Sequence, residues 1–351
     1  MRMVEWKKLG EVCELERGVR VIKKDLQEEG LIPVYQNSLT PLGYFDKSNY
    51  PANTPFVICA GAAGEIGFCN KPFWAADDCT CILCSSSVNK KFIYYCLLVK
   101  QHTLKSQVRK ASVPRLSKEV IGKLIVPIPS MSEQERVVGI LDTFISSIDN
   151  LKQQIAQRRK QYEYYRDQLL DLEGKEGVEM KTLGEVCSVI TGGEVPEDTI
   201  KGQLTPSTEY PYAVYTNGKE TYGFTKNYQV DSDAVCISSI GANTGAIYYK
   251  VGKFTPAIRL KVLIPIQKLN TRFLYYAASK IDFRGKNTGS VPNINANYVK
   301  SKEIPVPSLS DQQRIVDILD KFEASIQNLE AQLSQREKQY EYYRNKLLTF
   351  D

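Results

Sequence analysis

Residues 160–170 read KQYEYYRDQLL and residues 338–348 read KQYEYYRNKLL, nine letters of eleven in common. Each copy closes a longer pattern. PIPSMSEQE (127–135) and PVPSLSDQQ (305–313) combine proline with a helix-start signature, Ser132-x-x-Glu135 and Ser310-x-x-Gln313. Apolar residues then recur at alternating steps of four and three. In the first copy they are Val137, Leu141, Phe144, Ile148, Leu151 and Ile155, then Tyr162, Tyr165 and Leu169. In the second they are Ile315, Leu319, Phe322, Ile326, Leu329 and Leu333, then Tyr340, Tyr343 and Leu347. This heptad seam predicts two long coiled-coil helices, residues 131–173 and 309–351. Arg158 and Arg336 fill the skipped seam positions. They either fix register or lay their stems along the seam with the guanidinium reaching water; both readings are open.

The repeat extends outward from the helices. VEWKKLGEVC (4–13) aligns with VEMKTLGEVC (178–187), Tyr35-x-Asn37 with Tyr215-x-Asn217, and Ser112-Val113-Pro114 with Ser290-Val291-Pro292. The chain of 351 residues is therefore two copies of one unit, with globular parts at residues 1–130 and 174–308. In these parts short β-branched and aromatic runs (PFVICA, TCILCS, DAVCISSI, RLKVLI) alternate with Gly, Pro and Asn, which predicts strands and turns. KFIYYCLLVK and TRFLYYAASK predict helices. The expected fold class is α+β. A helix of 40 residues is about 60 Å long. The linker after the first is too short to run back along it, so antiparallel pairing is expected. The two globular domains would then stand apart on a pseudo-two-fold axis.

Charge is uneven. Residues 132–173 and 310–351 each hold 6 basic and 8 acidic residues, although the chain carries +6 overall. Residues 79–118 contain eight Lys or Arg and no acid, and residues 257–302 contain nine against Asp282 alone. Matched basic stretches suit a polyanionic partner.

Catalytic patterns are missing. His102 is the sole histidine, and no Gly-x-x-x-x-Gly-Lys-Ser/Thr loop or Pro-Pro-aromatic motif occurs. The glycines of GAAGEIG (61–67) suit tight turns. Seven of the nine cysteines precede residue 100. Cys79, Cys81 and Cys84 lie in an apolar run without a second ligand pair, so strand packing is preferred over zinc. The N-terminal stretch MRMVEWKKLGEV has no secretory apolar segment and no run would span a bilayer, so a cytoplasmic protein is expected.

Two globular units, each ending in Pro-x-Pro-Ser-x-Ser-(Glu/Asp)-Gln-(Glu/Gln)-Arg and a helix with KQYEYYR, resemble the specificity (S) subunit of bacterial Type I restriction–modification systems. The resemblance spans essentially the whole chain. It implies two target recognition domains that each read half of a split, asymmetric double-stranded DNA target. It implies helices that space them and dock methyltransferase subunits, two of them, with restriction subunits able to join. The chain itself would be non-catalytic and without cofactor, S-adenosylmethionine and ATP/Mg belonging to the partners.

The segments KSQVRKASVPRLSK (105–118) and RGKNTGSVPNINANY (284–298) then become candidate DNA contacts. From them come Lys105, Arg109, Lys110 and Arg115, and Arg284, Lys286, Asn287, Asn293 and Asn295. Their shared Ser-Val-Pro is read as structural. Arg17, Arg20, Lys23 and Lys24 are candidates for the first half-site alone. Tyr164 and Tyr342, off the seam, either dock a methyltransferase subunit or pack within the chain. The rival readings are a coiled-coil adaptor that binds only proteins, and a methyltransferase with its own recognition domain.

Overall fold

The structure is a computed structural model. It describes residues 4–350 except 23, 25, 111, 267 and 285–292. The chain divides into two compact units, Met1–Gln154 with Leu329–Asp351, and Ile155–Asn328. Each holds one globular part, the near portion of one long helix and the far portion of the other.

The first globular part contains β1 (Glu5–Lys8), α1 (Leu9–Val12), β2 (Cys13–Arg17), β3 (Ile32–Tyr35), β4 (Gly43–Phe45), β5 (Thr54–Ile58) and β6 (Ile66–Cys69). It continues with β7 (Trp74–Ala75), β8 (Cys79–Cys84), α2 (Lys90–Ser106), α3 (Lys118–Gly122) and β9 (Ile125–Ile128), which feeds α4 (Met131–Leu169). The second begins with β10 (Glu179–Thr182), α5 (Leu183–Val186), β11 (Cys187–Thr191), β12 (Ile200–Lys201), β13 (Tyr212–Tyr215), β14 (Thr221–Thr225) and β15 (Ala234–Ile237). It ends with β16 (Ile247–Lys250), β17 (Phe254–Pro256), β18 (Lys261–Pro265), α6 (Thr271–Ala278), α7 (Ala296–Lys300) and β19 (Glu303–Val306), before α8 (Leu309–Thr349).

The two parts share one topology. An antiparallel sheet of order β2-β8-β5-β6 recurs as β11-β18-β15-β16. A smaller sheet, β4-β3-β7, recurs as β14-β13-β17 with β12 added at its edge. The only parallel pairs among the described strands are β3·β7 and β13·β17. The run CTCILC is β8, paired on both sides, with Cys79 and Cys81 fully buried. Residues 79–82 are all buried, so both faces of this strand are covered. One face of each large sheet packs on a helix. There Phe92, Ile93 and Tyr95 of α2 meet Val57 and Ile82, and Phe273, Leu274 and Tyr276 of α6 meet Val235 and Leu263. The LGEV repeat forms the one-turn helices α1 and α5, whose Leu9 and Leu183 are fully buried. β1 pairs with β9 and β10 with β19, so each part is closed by its first and last strands.

The long helices are present, with one correction at their starts. The caps lie two residues earlier than Ser132 and Ser310, which sit inside the first turns. The Ser130 carbonyl accepts from Glu133 and Gln134 at 2.9 and 3.0 Å. Ser308 Oγ accepts from the Asp311 N–H at 3.2 Å and donates to the Asp311 carboxylate at 2.7 Å. This shift turns Gln134 and Gln312 inward, where both are buried. Gln134 Oε1 accepts from the Asn89 N–H (2.8 Å) while Nε2 donates to the Pro129 carbonyl (3.0 Å). Gln312 does the same with Asn270 (2.8 Å) and Pro307 (2.9 Å). Asn89 and Asn270 are the N-caps of α2 and α6, so one buried amide ties each long helix to its domain helix. About two turns further on, Asp142 accepts from Lys91 Nζ (2.8 Å) and Tyr95, and Asp320 from Arg272 Nε (2.7 Å) and Tyr276.

Within each unit the helical segments pair antiparallel. In the first, Phe144 stacks on Tyr343 at 5.4 Å and Lys152 pairs with Glu337 at 3.5 Å. In the second, Tyr165 stacks on Phe322 at 5.4 Å and Tyr162 donates to Glu323 at 3.2 Å. Seam positions Leu141, Ile148, Ile155 and Leu319 are buried, and Phe144, Leu151, Phe322, Ile326, Leu329 and Leu333 are half-buried. Tyr165 and Tyr343 touch the seam through a ring face but remain exposed. At the far ends Leu170 and Leu348 are the buried leucines, one place beyond the expected Leu169 and Leu347, because the helix ends fold onto the domain cores. The Arg158 guanidinium lies 5.8 Å from the Phe322 ring centre and that of Arg336 5.7 Å from Phe144. Each arginine thus covers an aromatic seam residue.

Candidate nucleic-acid interface

In the first unit the candidate cations come from three elements. Arg17 ends β2, and its Nε donates to the Asp77 carbonyl at 2.6 Å. The loop after α2 closes on itself, with Arg109 N–H to Arg115 O at 2.9 Å and Arg115 N–H to Arg109 O at 3.2 Å. Leu116 N–H then anchors it to Cys59 O at 2.8 Å. The result is a concave site of about 690 Å³ lined by Arg17, Arg109 and Arg115 together with Asp77, Asp78 and Lys118. Side chains 92 positions apart in sequence thereby share one wall. Lys110 is exposed in the closed loop, and Lys105 is exposed on the last turn of α2. Arg20 and Lys24 are exposed in the segment after β2, away from the lining of this site. Lys23 lies outside the described residues. No ion pair engages Arg109, Lys110 or Arg115 among the described residues. The Ser-Val-Pro element does not pack: Ser112, Val113 and Pro114 are all exposed. Its second copy lies outside the described residues.

The second unit uses the corresponding residues differently. Arg284 braces a turn, with Nε donating to Thr244 O at 2.9 Å and a terminal nitrogen to Ala242 O at 2.8 Å. Asn295 is the N-cap of α7 and accepts from Tyr298 N–H at 2.8 Å. Ser117 caps α3 at the equivalent place. Some polar atoms of Arg284 and Asn295 thus brace this chain's own backbone, while both residues stay exposed with further donors free of those bonds. Asn293 is exposed and bridges to Ile240. Lys286 and Asn287 lie outside the described residues. Arg259, exposed, and Lys261, buried, lie in and beside the turn between β17 and β18. They belong to the basic stretch 257–302 but carried no motif that singled them out.

Two of the three glycines of GAAGEIG make turns as expected, Gly61 and Gly64 having φ of 78° and 88°, whereas Gly67 lies within β6 opposite Phe56. Tyr164 and Tyr342 are 59% and 58% exposed, and among the described residues each meets a neighbouring tyrosine ring and a short-range partner on its own helix. Burial pushes the Cys187 thiol up to about 12 and raises Cys79 and Cys81 as well, which keeps these thiols protonated. No described helix is long and apolar enough to cross a membrane.

A chain with two repeats of one mixed sheet-and-helix domain, each followed by a long helix, defines a class before it defines a protein. The Type I restriction modification DNA specificity domain matches it twice, over residues 2–158 and 175–337, and the chain belongs to this family. The specificity subunit of the Escherichia coli EcoR124I/EcoR124II Type I restriction enzyme is 31% identical over 389 residues, covering 99% of this chain and 94% of that protein. The crystal structure of a Type I restriction–modification S subunit from M. genitalium aligns with a TM-score of 0.74 at 20% identity, over 99% of this chain and 96% of that one. A chain from a structure of type I R-M complex assembly and conformational transition aligns with a TM-score of 0.60 at 16% identity, over 98% and 97%.

Proposed function

We propose that this chain is the non-catalytic, sequence-reading subunit of a Type I restriction–modification complex, each unit reading one half of a split, asymmetric duplex target. The observation that carries the reading is the concave site of the first unit, where Arg17, Arg109 and Arg115 converge from distant sequence positions. Cations around a concavity hold phosphates, and unpaired side chains beside them can reach base edges. The second unit keeps the frame but changes these side chains, Thr191 standing where the first has Arg17 and Asn293 where it has Arg115. Two different surfaces on one scaffold suit two different half-sites. The exposed Tyr164 and Tyr342 faces dock methyltransferase subunits, one at each, and restriction subunits join that assembly. S-adenosylmethionine and ATP/Mg act in those partners, inside the cytoplasm.

The test is charge reversal at Arg109, Lys110 and Arg115 to Glu in the full chain assembled with its methyltransferase subunits. Duplex affinity should fall at least about tenfold, and the dependence of log affinity on log salt should flatten by roughly 0.9 for each phosphate that is no longer neutralised. Unchanged affinity and slope would remove this loop from the interface. Salt-independent association with no duplex at all would favour the protein-only adaptor.

A further inference from the structure

We propose that the two-residue turn Ile258–Arg259 is the base-contacting tip of the second recognition unit; the proposal rests on the reading of this chain as a DNA-reading subunit. Both residues have left-handed backbones, φ 50° and 58°, in a turn without glycine. A β-branched residue there is a genuine outlier, and such conformations persist only where surrounding structure over-determines them.

The surroundings do so completely. The Ile258 N–H donates to Gly193 O at 2.7 Å and the Arg259 N–H to Gly192 O at 3.0 Å. Asn217 Nδ2 donates to Ile258 O. Ser239 Oγ and Lys261 Nζ donate to Arg259 O at 2.6 and 3.2 Å. Every backbone polar group of the two residues is therefore paired. Gly192 is obligatory, because a Cβ there would stand 2.7 Å from the Ala257 nitrogen.

All this bracing fixes a backbone that holds both side chains at the surface. Ile258 is 38% exposed and Arg259 is exposed, with no partner for its guanidinium among the described residues. An apolar side chain and an unpaired guanidinium, carried side by side on a fixed backbone, match the thymine methyl group and the paired acceptors of guanine in the major groove. A fixed backbone lowers the ordering cost of that contact to that of the side chains.

The first unit shows what the turn replaces. Strand register places Asp77 and Asp78 at the two equivalent positions, and neither has a positive φ. There the cations are supplied by Arg17 and Arg115, where the second unit has Thr191 and Asn293. Lys261, beneath the turn, likewise replaces Thr80. The positive charge therefore comes from different positions in the two units.

The experiment uses the full chain assembled with its methyltransferase subunits and a duplex pool randomised across both half-sites. Arg259→Ala should relax preference at one or two positions within one half-site and weaken the best duplex about 5- to 100-fold, leaving the other half as in the wild type. Ile258→Asn separates contact from folding, since Asn tolerates the left-handed backbone. It should melt no lower than the wild type and still alter preference in the same half. A wild type that reads two half-sites while both variants keep its preferences would overturn the proposal alone. So would losses confined to methyltransferase association. A wild type with no sequence preference would overturn the functional reading beneath it.

Discussion

Lys250 shows how much a single side chain depends on partners distant in sequence. It is 8% exposed, donates from Nζ to Lys219 O at 2.6 Å, and its ammonium lies 3.8 Å from the Tyr215 ring centre. In the first unit the same place against Tyr35 is taken by the Cys69 thiol. Burial is the main cause that holds the Lys250 pKa below the ordinary lysine value. The unfolded chain, at about 10.4, then binds more protons than the folded chain between the lowered value and about 10.4. Stability therefore rises with pH across that window. Measured by denaturant melts, the wild type should gain stability relative to Lys250→Met as pH is raised from about 8 to about 10; parallel curves would show that the ammonium is not desolvated. Nothing in IYYK announces a buried cation, because burial here comes from the pairing of Lys250 with Ala234. The backbone bonds made by Arg284 and Asn295 stayed hidden for the same reason. Composition offers a polar side chain, and only the fold says whether a backbone carbonyl or a turn consumes it.

At the scale of elements, the heptad spacing located both long helices, since a seam sustained over several heptads has few alternatives. Their first turns were harder. Two serines in Ser130-Met131-Ser132 compete for the cap, and the buried Gln134 decides between them by reaching Asn89. That contact joins residues 45 positions apart, beyond any local signal. The tyrosines divide by the same logic. Tyr162 and Tyr340 are half-buried against the domain cores, while Tyr164 and Tyr342 face away. Exposed side chains contribute little to folding, so Tyr164→Ser with Tyr342→Ser should change stability by no more than about 0.5 kcal/mol. If the pair docks methyltransferase subunits, titration calorimetry should register at least roughly tenfold weaker association, as expected for interface tyrosines. Normal association would end the docking proposal, and a variant that misfolds would mean the rings pack after all.

At the scale of the chain, the repeat made the plan readable. The same sheet orders recur, and the strands that open and close each globular part pair with one another. The reading of side chains was less secure because the frame and the surface obey different constraints. Positions such as Leu9 and Leu183 are fixed by burial in both copies, whereas Arg17 and Thr191 are free to differ. Modularity follows, and it carries a condition. β9 runs to Ile128 and forms a ladder with β1, so a graft ending near residue 125 would cut that ladder. A graft of residues 1–130 from another chain of this family carries both strands and leaves Gln134 to engage the incoming α2 cap. Methylated positions sequenced in a host carrying such a chimera should show one half of the split target replaced and the other retained. If both halves changed, specificity would depend on the two units acting on one another, and the separate surfaces described here would not be the reading heads.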